Sequence, residues 1–300
     1  MAVGSLTQRW VAQRLPERSP RAHKGTFGRL LIVAGSLEYA GAALLTGLGA
    51  LRSGVGLACL ATPESVGLRL LGLVPEMTSM LLVEEAPGLT APAGWRRLAA
   101  EAPSFDAVVI GPGLGRQPST ARRARHFIGE LTVPAVIDAD ALSALADTDR
   151  WWRGVRSSMV LTPHPGEFGR LARLPEGERL PDDDDVRAQA ARDAALRWGA
   201  VLVLKGAHTV IASPGGELIR SDIATPALAT AGSGDVLAGV IGAFLAAGLS
   251  PLDAAGCGVA VHGAAGLLAE DRIGQAGVVA HDIADLLPEA IRQLRSTRRT

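Results

Sequence analysis

The stretch AGSGDVLAGVIGAFLAA, Ala231 to Ala247, sets a glycine-rich turn directly against a long apolar segment. Gly232, Ser233 and Gly234 let backbone come close to a bound group, and the first N–H groups of a helix starting here lack partners, so together they form an anion hole. Asp235 enters that first turn, where a carboxylate is placed to take a proton from an attacking hydroxyl. The helix dipole alone also favours a carboxylate there, so the motif in isolation has two readings. The apolar run Val236 to Leu249 is too short to span a bilayer.

Upstream of this segment, short apolar runs alternate with longer Ala- and Leu-rich stretches, which is the pattern of βα units around a mainly parallel sheet. Strands are expected at Leu30–Ala34, Val55–Leu60, Ala107–Ile110, Ala135–Asp138, Met159–Leu161 and Ala200–Leu204. Thr209–Ala212 and Glu217–Ile219 flank Pro214-Gly215-Gly216 and read as a hairpin at the sheet's far side. Helices are expected at Ala42–Arg52, Thr120–Gly129, Asp184–Trp198, Val236–Ala247 and Pro251–Glu270. The strands do not alternate apolar with polar, as suits strands covered on both faces. The acid run Pro181 to Asp185 reads as a solvated helix start. No repeat or linker divides the chain, so residues 21–300 are expected to form one α/β domain, with 1–20 a variable N-terminal extension.

Composition narrows the function. Hydrophobic residues make up 48% of the chain, enough for a large core, and 30 basic residues balance 30 acidic ones. No basic surface points to nucleic acid or an anionic membrane, and 4% aromatics supply no stacking platform. Met1 to Pro20 lacks the apolar core of a secretory signal, and Cys59 and Cys257 lack any ligand spacing, which fits two buried thiols in the cytoplasm. All basic residues but Lys24 and Lys205 are arginine, so a retained lysine hints at a place that wants a compact ammonium.

Ligands of such sheets bind beyond the carboxyl ends of the strands, so the loops after Ala34, Ile110, Asp138, Leu161 and Leu204 are the informative ones. Lys205-Gly206-Ala207-His208-Thr209 puts an ammonium and a close-approach glycine at a strand end, suited to a nucleotide phosphate, or forms an exposed turn. In Thr162-Pro163-His164-Pro165-Gly166-Glu167, two prolines stiffen the loop and aim the histidine at a ligand, or the ring is merely hydrogen-bonded and Glu167 starts a helix. Gly111-Pro112-Gly113-Leu114-Gly115 misses the dinucleotide fingerprint and reads as a backbone-lined loop against a flat ligand, or as a tight turn. Asp138 and Asp140 could hold Mg²⁺, although Asp140 reads better as a helix cap. Gly35-Ser36 and Tyr39-Ala40-Gly41-Ala42-Ala43 leave room for a bulky substrate or for close helix packing. There is no GxxxxGK[ST], no GxSxG and no HExxH.

Taken in order, these motifs resemble the bacterial ADP-dependent (S)-NAD(P)H-hydrate dehydratases of the ribokinase-like superfamily. The resemblance runs from about Lys24 to Leu287 and rests most on the TPHPGE segment lying between GPGLG and KGAHT. It implies a ribokinase-like three-layer sandwich, a central mostly parallel sheet flanked by helices, without the sugar kinases' lid domain. It implies repair of hydrated NADH or NADPH, with ADP as phosphoryl donor and Mg²⁺ as cofactor. Lys205, Gly206, Ala207, His208, Thr209 and Gly234 would bind ADP or AMP, and Asp138 would face the metal. Ala42, Gly113, Gly115, His164 and Asp235 would line the hydrate site, with Asp235 the catalytic base. Relatives suggest a homo-oligomer, a tetramer, and an epimerase as a separate protein. Ser233 replaces a common threonine. Two other readings share Asp235 and its anion hole: a kinase of a hydroxymethylpyrimidine or thiazole alcohol, and a non-catalytic nucleotide-binding protein.

Overall fold

Short runs of Val, Leu and Ile without polar interruption suit strands of a sheet covered on both faces. The computed structural model describes residues 3–175 and 177–296. Its strands are β1 (Gly4–Ser5), β2 (Arg29–Val33), β3 (Leu57–Pro63), β4 (Thr78–Leu82), β5 (Glu84–Ala86), β6 (Leu89–Thr90), β7 (Ala107–Ile110), β8 (Ala135–Ile137), β9 (Met159–Leu161), β10 (Val201–Leu204), β11 (Val210–Ala212) and β12 (Leu218–Arg220). Ten of them form one sheet in the order β1-β12-β11-β10-β9-β8-β7-β2-β3-β4, while β5 and β6 pair separately. Among the described residues only β11 runs against the rest of that sheet, lying between β10 and β12 as the first strand of the expected hairpin.

The helices are α1 (Gln8–Ala12), α2 (Ala40–Arg52), α3 (Glu64–Leu70), α4 (Pro92–Glu101), α5 (Pro118–Glu130), α6 (Ala139–Ala146), α7 (Pro165–Ala172), α8 (Asp184–Trp198), α9 (Ser233–Ala246), α10 (Pro251–Ile273) and α11 (Ala280–Ser296). Alternate residues of β2 serve the two faces. Leu30 and Ile32 belong to the core on the side of α2, α9, α10 and α11, while Leu31 and Val33 belong to the core on the side of α4 to α8. The result is three layers with the sheet in the middle. Although α10 is long and apolar enough to cross a membrane, 72% of its most apolar window is buried inside the protein, and here it is a core helix.

Residues 3–20 are built into this fold. β1 pairs in parallel with β12, and Val11 and Leu15 are buried at 0% and 3% exposure. Arg14 Nε meets Asp253 Oδ1 of α10 at 2.7 Å.

Where α2 crosses α9 the backbones nearly touch. A Cβ on Gly239 would stand 2.0 Å from the Thr46 carbonyl oxygen, and one on Gly49 would stand 2.3 Å from that of Val236. The fixed crossing positions the first turn of α9, which carries Asp235. Gly239→Ala is therefore expected to force the helices apart and to destabilise the fold by about 2 kcal/mol or more. Thermal unfolding should show a drop of several degrees, with Gly154→Ala, which meets nothing within 4 Å, melting like the parent.

Candidate active site

In chain order the strands step from β2 outward to β4, then return to the other side of β2 with β7. Open parallel sheets bind ligands at such a reversal, beyond the strands' carboxyl ends. The loops after β2 and β7 meet there, with the Gly35 N–H donating to the Pro112 carbonyl at 2.9 Å. Gly113 (φ +61°) lies so close to the next loop that a Cβ would come within 2.6 Å of the Tyr39 oxygen and 2.9 Å of the Ala42 Cβ. A Cβ on Gly111 would strike the Asp138 carbonyl oxygen at 1.8 Å. The GPGLG loop is thus both a tight turn and a backbone wall beside Ala42.

Asp140 corrects an expectation. Helix α6 begins at Ala139, so Asp140 lies inside its first turn rather than at its cap. Its carboxylate accepts from the Gly115 N–H at 3.0 Å and from Arg116 Nε at 3.3 Å, and so pins the end of the glycine loop.

Beside this wall is a charged centre drawn from β8, β9, β10 and α9. Asp138, 1% exposed, accepts on Oδ1 from Lys205 Nζ at 2.9 Å and from the Thr162 hydroxyl at 2.8 Å. Lys205 also lies 3.9 Å from Glu167 Oε2. Burial alone would favour loss of the ammonium's proton, but Asp138, Glu167 and Asp235 outweigh it and raise the pKa above the ordinary lysine value. A Cβ on Gly234 would stand 3.3 Å from Lys205 Nζ, so the ammonium faces the open N-terminal backbone of α9. Gly232, at φ +86°, turns the chain into that helix.

His164 is hydrogen-bonded within its own loop, and Glu167 lies in the first turn of the helix that follows. Its Nδ1 accepts from the Gly166 N–H at 3.0 Å while Glu167 Oε2 accepts from the His164 N–H at 2.9 Å, so the pair boxes the start of α7. The ring is still half exposed and borders a cavity. Burial lowers its pKa, with Glu167 opposing and Lys205 adding to the shift.

That cavity, of about 600 Å³, opens between Lys205-Gly206-Ala207, Thr209, the 221–230 segment and the buried flank of α9 and α10. Its wall is mostly apolar and includes Ile223, Leu228, Leu237 and Val259 together with Lys205 and Gly234. A flat base with a charged tail suits that shape. His208 does not line it; its Nδ1 meets Asp184 Oδ2 at 2.8 Å instead. Ala42, Gly113, Gly115 and Asp235 lie outside its wall, on the side of the glycine loop and Lys205.

Two buried polar residues lay outside the sequence expectations. His262 of α10, 6% exposed, brings Nε2 to 3.1 Å from Ser233 Oγ and 3.0 Å from the Ser233 carbonyl oxygen, and burial pushes its pKa down to about 4. Arg187 of α8, 2% exposed, donates to the carbonyls of Ala207 at 2.6 Å and Lys205 at 3.1 Å. The signal for both was positional. Arg187 falls on the stripe of Ala191, Ala195 and Trp198, and His262 on that of Ala265 and Ala269, where the helical repeat calls for apolar side chains.

Asp235 has its carboxyl pKa raised to about 7, first by burial and then by Asp138, against the pull of Lys205. A base of that kind is half ionised near neutrality. If it takes a proton in the slow step, the rate should climb about tenfold per pH unit below about 7 and level off above. A pH–rate profile between pH 5 and 9 that stays flat to its acid end would exclude Asp235 as that base.

Comparison with known proteins agrees with this layout. A sequence profile of the NAD(P)H-hydrate dehydratase family matches residues 30–289. The chain is 40% identical over 289 residues to the bifunctional NAD(P)H-hydrate repair enzyme of Moorella thermoacetica, covering 96% of this chain and 54% of that one. It thus spans about half the length of the bifunctional relatives it matches. With the ADP-dependent (S)-NAD(P)H-hydrate dehydratase of Bacillus subtilis it shares 36% identity over 96% of this chain and 98% of that one. The crystal structure of the Bacillus subtilis ADP/ATP-dependent dehydratase, co-crystallised with ATP and Mg²⁺, superposes with a TM-score of 0.83 over 98% of this chain and 99% of that one, at 34% identity. The three-layer arrangement is the ribokinase-like fold of those dehydratase structures.

Proposed function

Since the chain belongs to the NAD(P)H-hydrate dehydratase family, we propose that it restores (6S)-hydrated NADH and NADPH to NADH and NADPH, with ADP as the phosphoryl donor. The observation that carries the reading is the meeting of Lys205 and the open N-terminus of α9, whose first turn carries Asp235, on the wall of a base-sized cavity.

In this reading the adenine end of ADP occupies the apolar part of the cavity, along the Lys205–Thr209 loop. Its terminal phosphoryl group lies at the Gly232–Gly234 anion hole under Lys205. The hydrate lies against Ala42, Gly113, Gly115 and His164. Asp235 takes the proton of the C6 hydroxyl as that oxygen bonds to the terminal phosphorus and AMP departs. Hydroxide is a poor leaving group and phosphate a good one, so the ring nitrogen's lone pair now expels phosphate from C6. Loss of a proton from C5 then completes the dihydronicotinamide. The protein's part is to position the partners and to neutralise the charge on the group in transfer.

Magnesium fits this donor set as an ion held chiefly by phosphate oxygens with one or two carboxylates. Oδ1 of Asp138 is engaged by Lys205 and Thr162, so Asp138 would contribute its other oxygen, directly or through water. Bound there, Mg²⁺ would supply further charge neutralisation. The proposal extends to a cytoplasmic homo-oligomer, a tetramer, which light scattering of the purified protein would test.

The direct test mixes hydrated NADH, Mg²⁺ and either ADP or ATP with the protein and follows absorbance of the dihydronicotinamide. Nucleotide-dependent recovery supports the proposal, and the better nucleotide identifies the donor. No recovery, with a stable phosphorylated small alcohol formed instead, replaces it with a kinase.

A further inference from the structure

The acid run at the start of α8 does more than begin a helix. Asp183 caps the helix, its Oδ1 accepting from the N–H groups of Asp185 and Val186 at 3.0 and 2.9 Å. One turn on, Arg187 reaches away from solvent, its side chain 3% exposed, and donates to two carbonyls of a loop from another strand, those of Ala207 and Lys205. Asp184 lies between them. Its Oδ1 is 3.9 Å from Arg187 Nη1, and its Oδ2 meets His208 Nδ1 at 2.8 Å and Arg220 Nη1 at 3.6 Å.

The loop needs such a fastener. Gly206 sits at φ +145° and His208 at φ +52°, a conformation that a non-glycine residue holds only when its surroundings impose it. The guanidinium packs so tightly beneath Gly206 that a Cβ there would come within 2.5 Å of Nη2. With both carbonyls drawn toward α8, the Gly206 and Ala207 backbone lines the cavity, and the peptide that carries Lys205 is fixed where its side chain bonds Asp138.

We propose that Arg187, seconded by Asp184, is a positioning residue for the nucleotide: it holds the Lys205–His208 backbone in the shape that receives an adenine nucleotide, without touching the reacting atoms. This rests on the reading of the cavity as the nucleotide site.

Equilibrium titration of the full chain with ADP and Mg²⁺, followed by calorimetry, separates the two. If wild type takes up no adenine nucleotide, the site reading fails. If wild type binds, Arg187→Met should weaken ADP at least tenfold, and Arg187→Lys, which cannot bridge both carbonyls in one plane, should fall between. Asp184→Asn, at a partly exposed position, should weaken ADP by a smaller factor and serves if Arg187→Met does not fold. Under saturating nucleotide the turnover of Arg187→Lys should stay within about threefold of wild type, placing the effect in KM rather than kcat. Unchanged ADP affinity in Arg187→Lys and Asp184→Asn, whatever happens to their melting temperatures, would overturn the proposal and leave Arg187 a structural residue only.

Discussion

Asp235→Asn is expected to lower the nucleotide-dependent rate by two to four orders of magnitude, the range lost with a general base, while making the protein harder to melt at pH 8. The two effects have one origin. The folded carboxyl titrates near 7 against an ordinary 3.8, so the native state prefers it protonated. Stability attached to that proton is complete below about pH 4 and is lost as pH rises through about 7. Asparagine keeps the neutral form at every pH. At about 1.4 kcal/mol per pK unit, the substitution recovers at most about 4 kcal/mol at alkaline pH, less whatever solvent screening already relieves. Melting curves of the two proteins should converge toward pH 4 and separate toward pH 8, with the variant above. A variant that loses activity and melts lower at pH 8 would show that Asp235 is held ionised by its neighbours, contrary to the burial described above.

Lys205→Met is expected to fail in both respects. Asp138 is almost fully buried and has the ammonium as its nearest cation, so removing that partner strands a carboxylate at a cost of about 3–5 kcal/mol. The same substitution takes the positive charge from the mouth of the anion hole, and ADP affinity should fall with it. A second change tells the effects apart. In Lys205→Met with Asp138→Asn, the buried carboxylate bonded directly to the ammonium is removed together with it, and the Thr162 hydroxyl can still bond the amide. Much of the melting temperature should return while ADP binding stays lost. Stability losses that simply add, with no recovery in the double variant, would mean that the 2.9 Å contact carries little coupling.

The sequence disclosed the elements that sit wholly inside the sheet. Val108 to Ile110 and Val201 to Leu204 are apolar at every position and were expected to within a residue of where they lie. Thr78–Leu82 escaped because it is an edge strand, with Thr78 and Ser79 exposed and only part of its length covered. Ala280–Ser296 escaped because Pro288 interrupts a helical pattern that continues past it. The candidate site was legible where its residues adjoin in sequence, as in Gly232–Asp235 and Lys205–Thr209. Arg187 and His262 were not, since each acts on a segment brought to it by the fold across 18 or more positions, and Asp140, though singled out, gave no sign of its hold on Gly115. A local motif cannot announce such a partner. What it can show is a polar residue standing where the helical repeat wants an apolar one.

The strand order also bears on biosynthesis. β2 is made early yet lies between β3 and β7, and the wall against which its loop closes arrives with residues 111–115. The cavity needs still more of the chain, since Leu237 comes from α9 and His262 from α10. A ribosome working from the N-terminus therefore releases an apolar half-sheet long before the helices that cover its second face, α9 and α10, have been translated. Protein emerging in that state is a natural client for chaperones that shield apolar strands. Nascent chains stalled before residue 262 should hold no adenine nucleotide, whatever their degree of collapse.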